Sequence, residues 1–225
     1  MITISVLQRQ VSLTATHQAL AKASASRRAL QMRLQQDLSQ CLVDYEPADS
    51  INIREGMLRY CIRGFSEQAV FDPLEDLSMW FNYSSGDFLA PGYPPLFYNR
   101  QERQTVSPSK TAIAGIGEGV AGFLAQRLYR CRKLARPIQD YPDIVMDAPN
   151  RVVDPPDKVI YLVESKASTG SLEALQRTID EEVIRLASYA SACLELNTRP
   201  IRGLLVGTAF RSTNQYQAYL TEILL

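Results

Sequence analysis

Histidine is all but missing from this chain, with His17 the only one in 225 residues. That excludes histidine-built metal clusters and the Ser-His and Cys-His pairs of nucleophilic hydrolases. Cysteine is sparse and scattered: Cys41, Cys61, Cys131 and Cys193 form no CxxC. Neither a zinc site nor a disulfide framework is therefore expected, and a reducing cytoplasm is the expected compartment. No apolar run approaches the ~20 residues of a membrane span. The opening MITISVLQRQ lacks the charged-then-apolar plan of a signal peptide. Net charge is absent as well, 24 Lys and Arg balancing 24 Asp and Glu, so a polyanion must be met by local patches.

What is present suits one substantial core with an extension, since 46% of the residues are apolar. Charge falls in blocks. Residues 1–36 carry Arg9, Lys22, Arg27, Arg28 and Arg33 and no acid. A second acid-free cluster holds Arg127, Arg130, Arg132, Lys133 and Arg136. Such blocks read as a phosphate-binding face or as solvated surface, and the second is the candidate nucleic-acid contact. Leu30, Leu34, Leu38 and Leu42 recur every four positions and predict a helix within 17–43. Residues 86–110, rich in Pro, Gly and aromatics, read as a long loop. Its Phe88, Tyr93, Phe97 and Tyr98 either pack onto the core or stack on bases. Residues 1–108 are thus expected to form a mainly helical N-terminal extension.

Residues 109–225 carry the sharper pattern. A helix is predicted from Lys110 to Lys133, with Ile113, Ile116, Val120, Leu124 and Leu128 on one face. A short extended piece over 134–139 follows. Strands are predicted at 143–148 and 158–166, flanking the turn-forming PNRVVDPPD. A second helix spans Ser171 to Leu196, with Ser171 as N-cap, and IRGLLVGTAF (201–210) reads as a buried strand. The expected fold class is α/β, with a mixed sheet flanked by helices.

The second of the hairpin strands ends in charge. Side chains alternate across a strand, so Ile160, Leu162, Glu164 and Lys166 share one face. In an antiparallel hairpin centred on residue 153, Asp143 lies opposite Glu164 to within a residue. Asp147 is the rival acid, but pairing it with Ile160 sets it up the hairpin, away from the charged end. Carboxylate oxygens are hard donors, and one or two of them with substrate phosphates are the usual way to hold Mg²⁺. A lysine beside them can position or deprotonate an attacking water and offset phosphate charge.

Pro142-Asp143, about twenty residues, and then Glu164-Ser165-Lys166 resemble the PD-(D/E)XK nuclease superfamily. The resemblance covers about residues 110–210, whose helix, strands, helix, strand order is similar to that family's restriction-endonuclease-like core. Only five lysines are present, and Lys166 alone has an acid two residues before it. The resemblance implies Asp143 and Glu164 as metal ligands and Lys166 in the water-activating role. It also implies a carboxylate on the preceding helix, and Glu118 in GIGEGVAG is the matching position, within the small-residue stripe Ala114, Ala121 and Ala125. One subgroup carries Gln-x-x-x-Tyr on the following helix; this chain departs from it with Arg185-x-x-x-Tyr189. The implied function is Mg²⁺-dependent DNA cleavage, with Mn²⁺ able to substitute. The alternatives are a catalytically silent nucleic-acid-binding or assembly subunit and an RNA-directed nuclease. DNA is the expected partner, a membrane is not, and a homodimer or protein partners stay open.

Overall fold

The computed structural model describes residues 1–24, 27–66, 72–85, 109–137, 141–149, 158–194 and 199–225. The strands are β1 (Ile2–Ser12), β2 (Glu46–Pro47), β3 (Ile51–Ile53), β4 (Arg132–Ala135), β5 (Ile144–Pro149), β6 (Lys158–Ser168), β7 (Ile201–Phe210) and β8 (Gln215–Leu224). The helices are α1 (Ala15–Ser24), α2 (Arg28–Ser39), α3 (Glu55–Phe65), α4 (Pro73–Ser85), α5 (Lys110–Tyr129) and α6 (Leu172–Cys193).

All the strands share one mixed sheet in the order β2-β1-β8-β7-β6-β5-β4, with β3 also paired to β1. The β1–β8 and β6–β7 pairs are parallel and the others antiparallel. Central strands are apolar on both faces because both faces are covered. On β6, Val159, Tyr161 and Val163 join Ile116, Val120 and Leu124 of α5 in one core. Ile160 and Leu162 join Leu175, Ile179, Val183 and Leu186 of α6 in the other. Helices α3 and α4 pack on α5, while α1 and α2 pack on α6. Ser109 caps α5 by accepting from the Ala112 N–H at 3.3 Å, and Ser171 caps α6 through Ala174 at 3.2 Å.

The helix, strands, helix, strand order is present, and the β5–β6 register runs from Ile144↔Val163 to Pro149↔Lys158 through Asp147↔Ile160. Three differences have physical causes. The N-terminal segment carries four helices but also adds strands to the sheet: β1 lies inside it against β8 and buries Ile2, Ile4 and Val6 on one face. Residues 1–108 and 109–225 thus share one sheet. The helix expected to reach Lys133 stops at Tyr129. There Arg130 takes a left-handed φ of 58°, and the Cys131 N–H donates to the Ala125 carbonyl at 3.2 Å. The chain then turns into β4 at the sheet edge, and Leu128 is left exposed rather than on the packed face. Strand β8 was not expected, since Thr221 and Glu222 interrupt its apolar pattern while both are buried. Phe88, Tyr93, Phe97 and Tyr98 lie outside the described residues, as does most of the turn between β5 and β6. Among the described residues no helix is long and apolar enough to cross a membrane.

Candidate active site

The charged end of the β5–β6 hairpin is closed by reciprocal hydrogen bonds. The Asp143 N–H donates to Glu164 Oε2 at 3.1 Å, and the Ser165 N–H donates to Asp143 Oδ2 at 2.7 Å. Asp143 and Glu164 flank the first ladder pair, Ile144 with Val163, and these backbone-to-carboxylate bonds hold the two carboxylates side by side. Lys166 Nζ lies 2.8 Å from Glu164 Oε1 and 3.5 Å from Glu182 Oε1. Glu164 is only 3% exposed, while Asp143 and Lys166 are half-buried at the rim.

Glu118 comes from the other side of the sheet. A Cβ added at Gly117 would meet the Ala167 Cβ at 2.6 Å and the Ser165 Oγ at 3.1 Å. A glycine there lets α5 lie directly on the charged end of β6 and brings buried Glu118 within electrostatic reach of Asp143. Its oxygens are already engaged, however. Arg136 Nη1 donates to Glu118 Oε2 at 2.8 Å and to the Phe65 carbonyl at 2.8 Å. Among the described residues no group of three His, Cys, Asp or Glu stands close enough to hold a metal ion. The structure therefore joins Asp143, Glu164 and Lys166 and ties Glu118 to an arginine.

Electrostatics mark this end as unresolved. The Asp143 carboxyl is pushed up to about 7, first by burial and next by the adjacent Glu164 charge, with Glu118 adding to both. Burial likewise raises Glu164 against the pull of Lys166. For Lys166, burial alone would favour the neutral amine. The hydrogen bond and charge of Glu164, with Glu182 and Asp143, outweigh it and hold the ammonium above its ordinary range. Two carboxylates facing one ammonium can take up a shared proton near neutral pH, or a dication in its place. The second Asp143 oxygen accepts no hydrogen bond among the described residues, so a hard oxygen donor is open. This donor set fits Mg²⁺.

Asp147, at the far end of the hairpin, is excluded as a ligand by its neighbours. Arg132 grips it with two bonds of 3.1 and 2.9 Å, and Lys158 stands 3.4 Å away. The Arg132 hydrogen bond leads in holding this carboxyl below its usual range.

The basic cluster expected to meet phosphate divides. Arg127 and Arg130 are exposed and form no ion pair among the described residues. Arg132 is engaged by Asp147, and Lys133 donates to the Gly64 carbonyl at 2.8 Å. Arg136 is turned inward, its side chain 8% exposed, because it neutralises buried Glu118. In the N-terminal block, buried Arg9 bonds Thr221 Oγ1 at 3.0 Å, pairs with Asp180 and lies over the Tyr45 ring. It too is removed from any contact face.

Sequence reasoning missed Glu182. It sits three residues after Ile179 and four before Leu186, on the packed side of α6, and the i, i+3, i+4 pattern could have found it. Its Oε2 is buried without a hydrogen-bond partner. Tyr141 was missed as well: the Arg185 guanidinium lies 3.8 Å from its ring centroid, and Tyr189 meets it edge-on at 5.6 Å. None of the family models, curated proteins or solved structures compared with this chain matches it.

Proposed function

We propose that the chain is a Mg²⁺-dependent DNA endonuclease whose α/β sheet carries a restriction-endonuclease-like core. The observation that supports this reading is the pairing of half-buried Asp143 with buried Glu164, braced by backbone amides at 3.1 and 2.7 Å beside a single ammonium. Asp143 and Glu164 would hold Mg²⁺, or Mn²⁺ in its place. A bound ion supplies a water of lowered pKa and offsets charge on the phosphodiester. The reaction forms a bond from water oxygen to phosphorus and breaks one P–O ester bond, leaving a phosphate and a hydroxyl end.

The residues of the chain divide the remaining work. Lys166, held as an ammonium by Glu164 and Glu182, donates hydrogen bonds and offsets the charge of a phosphate oxygen. Proton acceptance by Lys166 would require that charge to be lost, which three neighbouring carboxylates oppose. Phosphate affinity falls to exposed Arg127 and Arg130. A catalytically silent nucleic-acid-binding subunit is the second reading, favoured by one observation: Arg136 occupies Glu118. Incubating purified protein with plasmid, linear DNA and RNA, in Mg²⁺ or in EDTA, separates the readings. The expected result is DNA cleavage in Mg²⁺ that EDTA abolishes. Undiminished cleavage in EDTA, or none on any substrate with Mg²⁺ or Mn²⁺, overturns the proposal.

A further inference from the structure

Beside the carboxylates lies a cavity of about 630 Å³ that the cleavage chemistry does not use. Its walls include Tyr141, Ile184, Arg185 and Tyr189, together with Gln31 and Gln35 of α2. Three planar groups are already arranged for stacking here. The Arg185 guanidinium covers the Tyr141 ring at 3.8 Å, and Tyr189 stands edge-on to that ring at 5.6 Å. Tyr189 is nonetheless 40% exposed, a large aromatic surface left toward solvent at the cavity wall. Tyr141 is 8% exposed and its hydroxyl finds no hydrogen-bond partner.

Two residues of the cavity wall, Arg185 and Tyr141, lead toward the site. Arg185 stands 3.7 Å from Glu182 Oε1, and Glu182 Oε1 stands 3.5 Å from Lys166 Nζ. Tyr141 directly precedes Pro142-Asp143 in the chain. A nucleotide whose phosphate sits at Asp143 and Glu164 would thus have an aromatic and guanidinium pocket beside it. A phosphate group is a poor occupant for the pocket itself, since Glu181 lines it along with Arg185. A nucleobase is a good one: it is planar, it stacks on Tyr and on Arg, and glutamine amides can bond its edge.

We infer that this cavity holds one unstacked nucleobase next to the scissile phosphate, so that the substrate is single-stranded or locally unpaired DNA. The inference rests on the proposed nuclease reading for the position of the phosphate, whereas base binding itself needs no cleavage. Stacking every base inside a duplex hides its faces, so a paired substrate offers the pocket nothing.

The test is fluorescence anisotropy in EDTA, where cleavage is silent, comparing a labelled oligothymidylate with an abasic strand of the same length. Wild-type protein is expected to bind the oligothymidylate about tenfold more tightly. Tyr189→Ala should erase that preference while leaving abasic affinity unchanged, and Tyr189→Trp should keep it. Equal affinity of wild-type protein for the two strands, no binding to either, or a Tyr189→Ala loss that is the same for both overturns the inference. Plasmid cleavage in Mg²⁺ is read separately. Cleavage without base preference removes the pocket alone, and base preference without cleavage removes the nuclease reading alone.

Discussion

The β5–β6 hairpin carries an aspartate toward each end of one face, and the two are treated in opposite ways. Asp147 is 4% exposed yet sits between Arg132 and Lys158, and its carboxyl is held below the ordinary range. Asp143, four residues earlier on the same strand face, has another carboxylate for a neighbour and is pushed up to about 7. Burial raises both; the sign of the adjacent charge decides the outcome. One end is a finished ion pair whose role is complete in the folded chain. The other holds more negative charge than the chain itself neutralises, and such an arrangement is where a cation and chemistry are expected.

The largest effect should separate the two ends by activity. Asp143→Asn or Lys166→Ala is expected to lower Mg²⁺-dependent cleavage by about two to four orders of magnitude. Asp147→Asn should leave the rate little changed. Steady-state rates on one plasmid substrate check this, and a comparable loss in Asp147→Asn would break the distinction.

Stability against pH sharpens the comparison next. The Asp143 carboxyl titrates at 3.8 in the unfolded chain and about 7 in the folded one, so the native state binds its proton more tightly. Between those values stability falls as pH rises, by at most about 1.4 kcal/mol per pH unit for one proton. Below both values the contribution is fully present, and above both it is lost. The melting temperature of metal-free protein should therefore fall between about pH 4 and about pH 7, and Asp143→Asn should flatten that fall. The Asp147 end runs the other way: its carboxyl is lowered, so its stabilisation is kept at neutral pH and lost in acid.

Smaller effects follow from the finished ion pairs. Asp147→Asn removes a carboxylate whose partners are 68% and 53% exposed, so water can take over much of their solvation. A loss of about 1 kcal/mol in urea unfolding is expected. Smallest is the salt dependence of DNA binding. Arg127→Ala with Arg130→Ala should weaken binding and reduce the log–log salt slope by up to about two, whereas Arg132→Ala should leave it unchanged. An Arg132 effect equal to that pair would show its bond to Asp147 to be expendable.

Much of the hairpin was legible before the fold was known. Strand alternation set Glu164 and Lys166 on one face, and the constant sum of opposed residues set Asp143 beside Glu164, where two backbone hydrogen bonds hold it. The same arithmetic paired Asp147 with Ile160. The basic cluster was the weakest reading, because a run of arginines looks alike whether each side chain faces water or a buried acid. Arg136 and Arg130 are six positions apart, and one neutralises Glu118 while the other is exposed.

From the sequence alone came the helices over α5 and α6, the hairpin with its charged end, the strand at 201–210 and the residue types able to bind a hard cation. These depend on periodicity and on turns, which act over a few residues and leave a repeating trace in the chain. Tertiary structure decided the rest. It seated β1 against β8, where Arg9 bonds Thr221 at a separation of 212 positions. It gave Glu118 to Arg136, brought Glu182 to Lys166, and stacked Arg185 on Tyr141 beside an open cavity. Each of these is a meeting of single side chains from distant segments. Which one is neutralised and which is left open depends on how the helices seat on the sheet, and no local pattern records that.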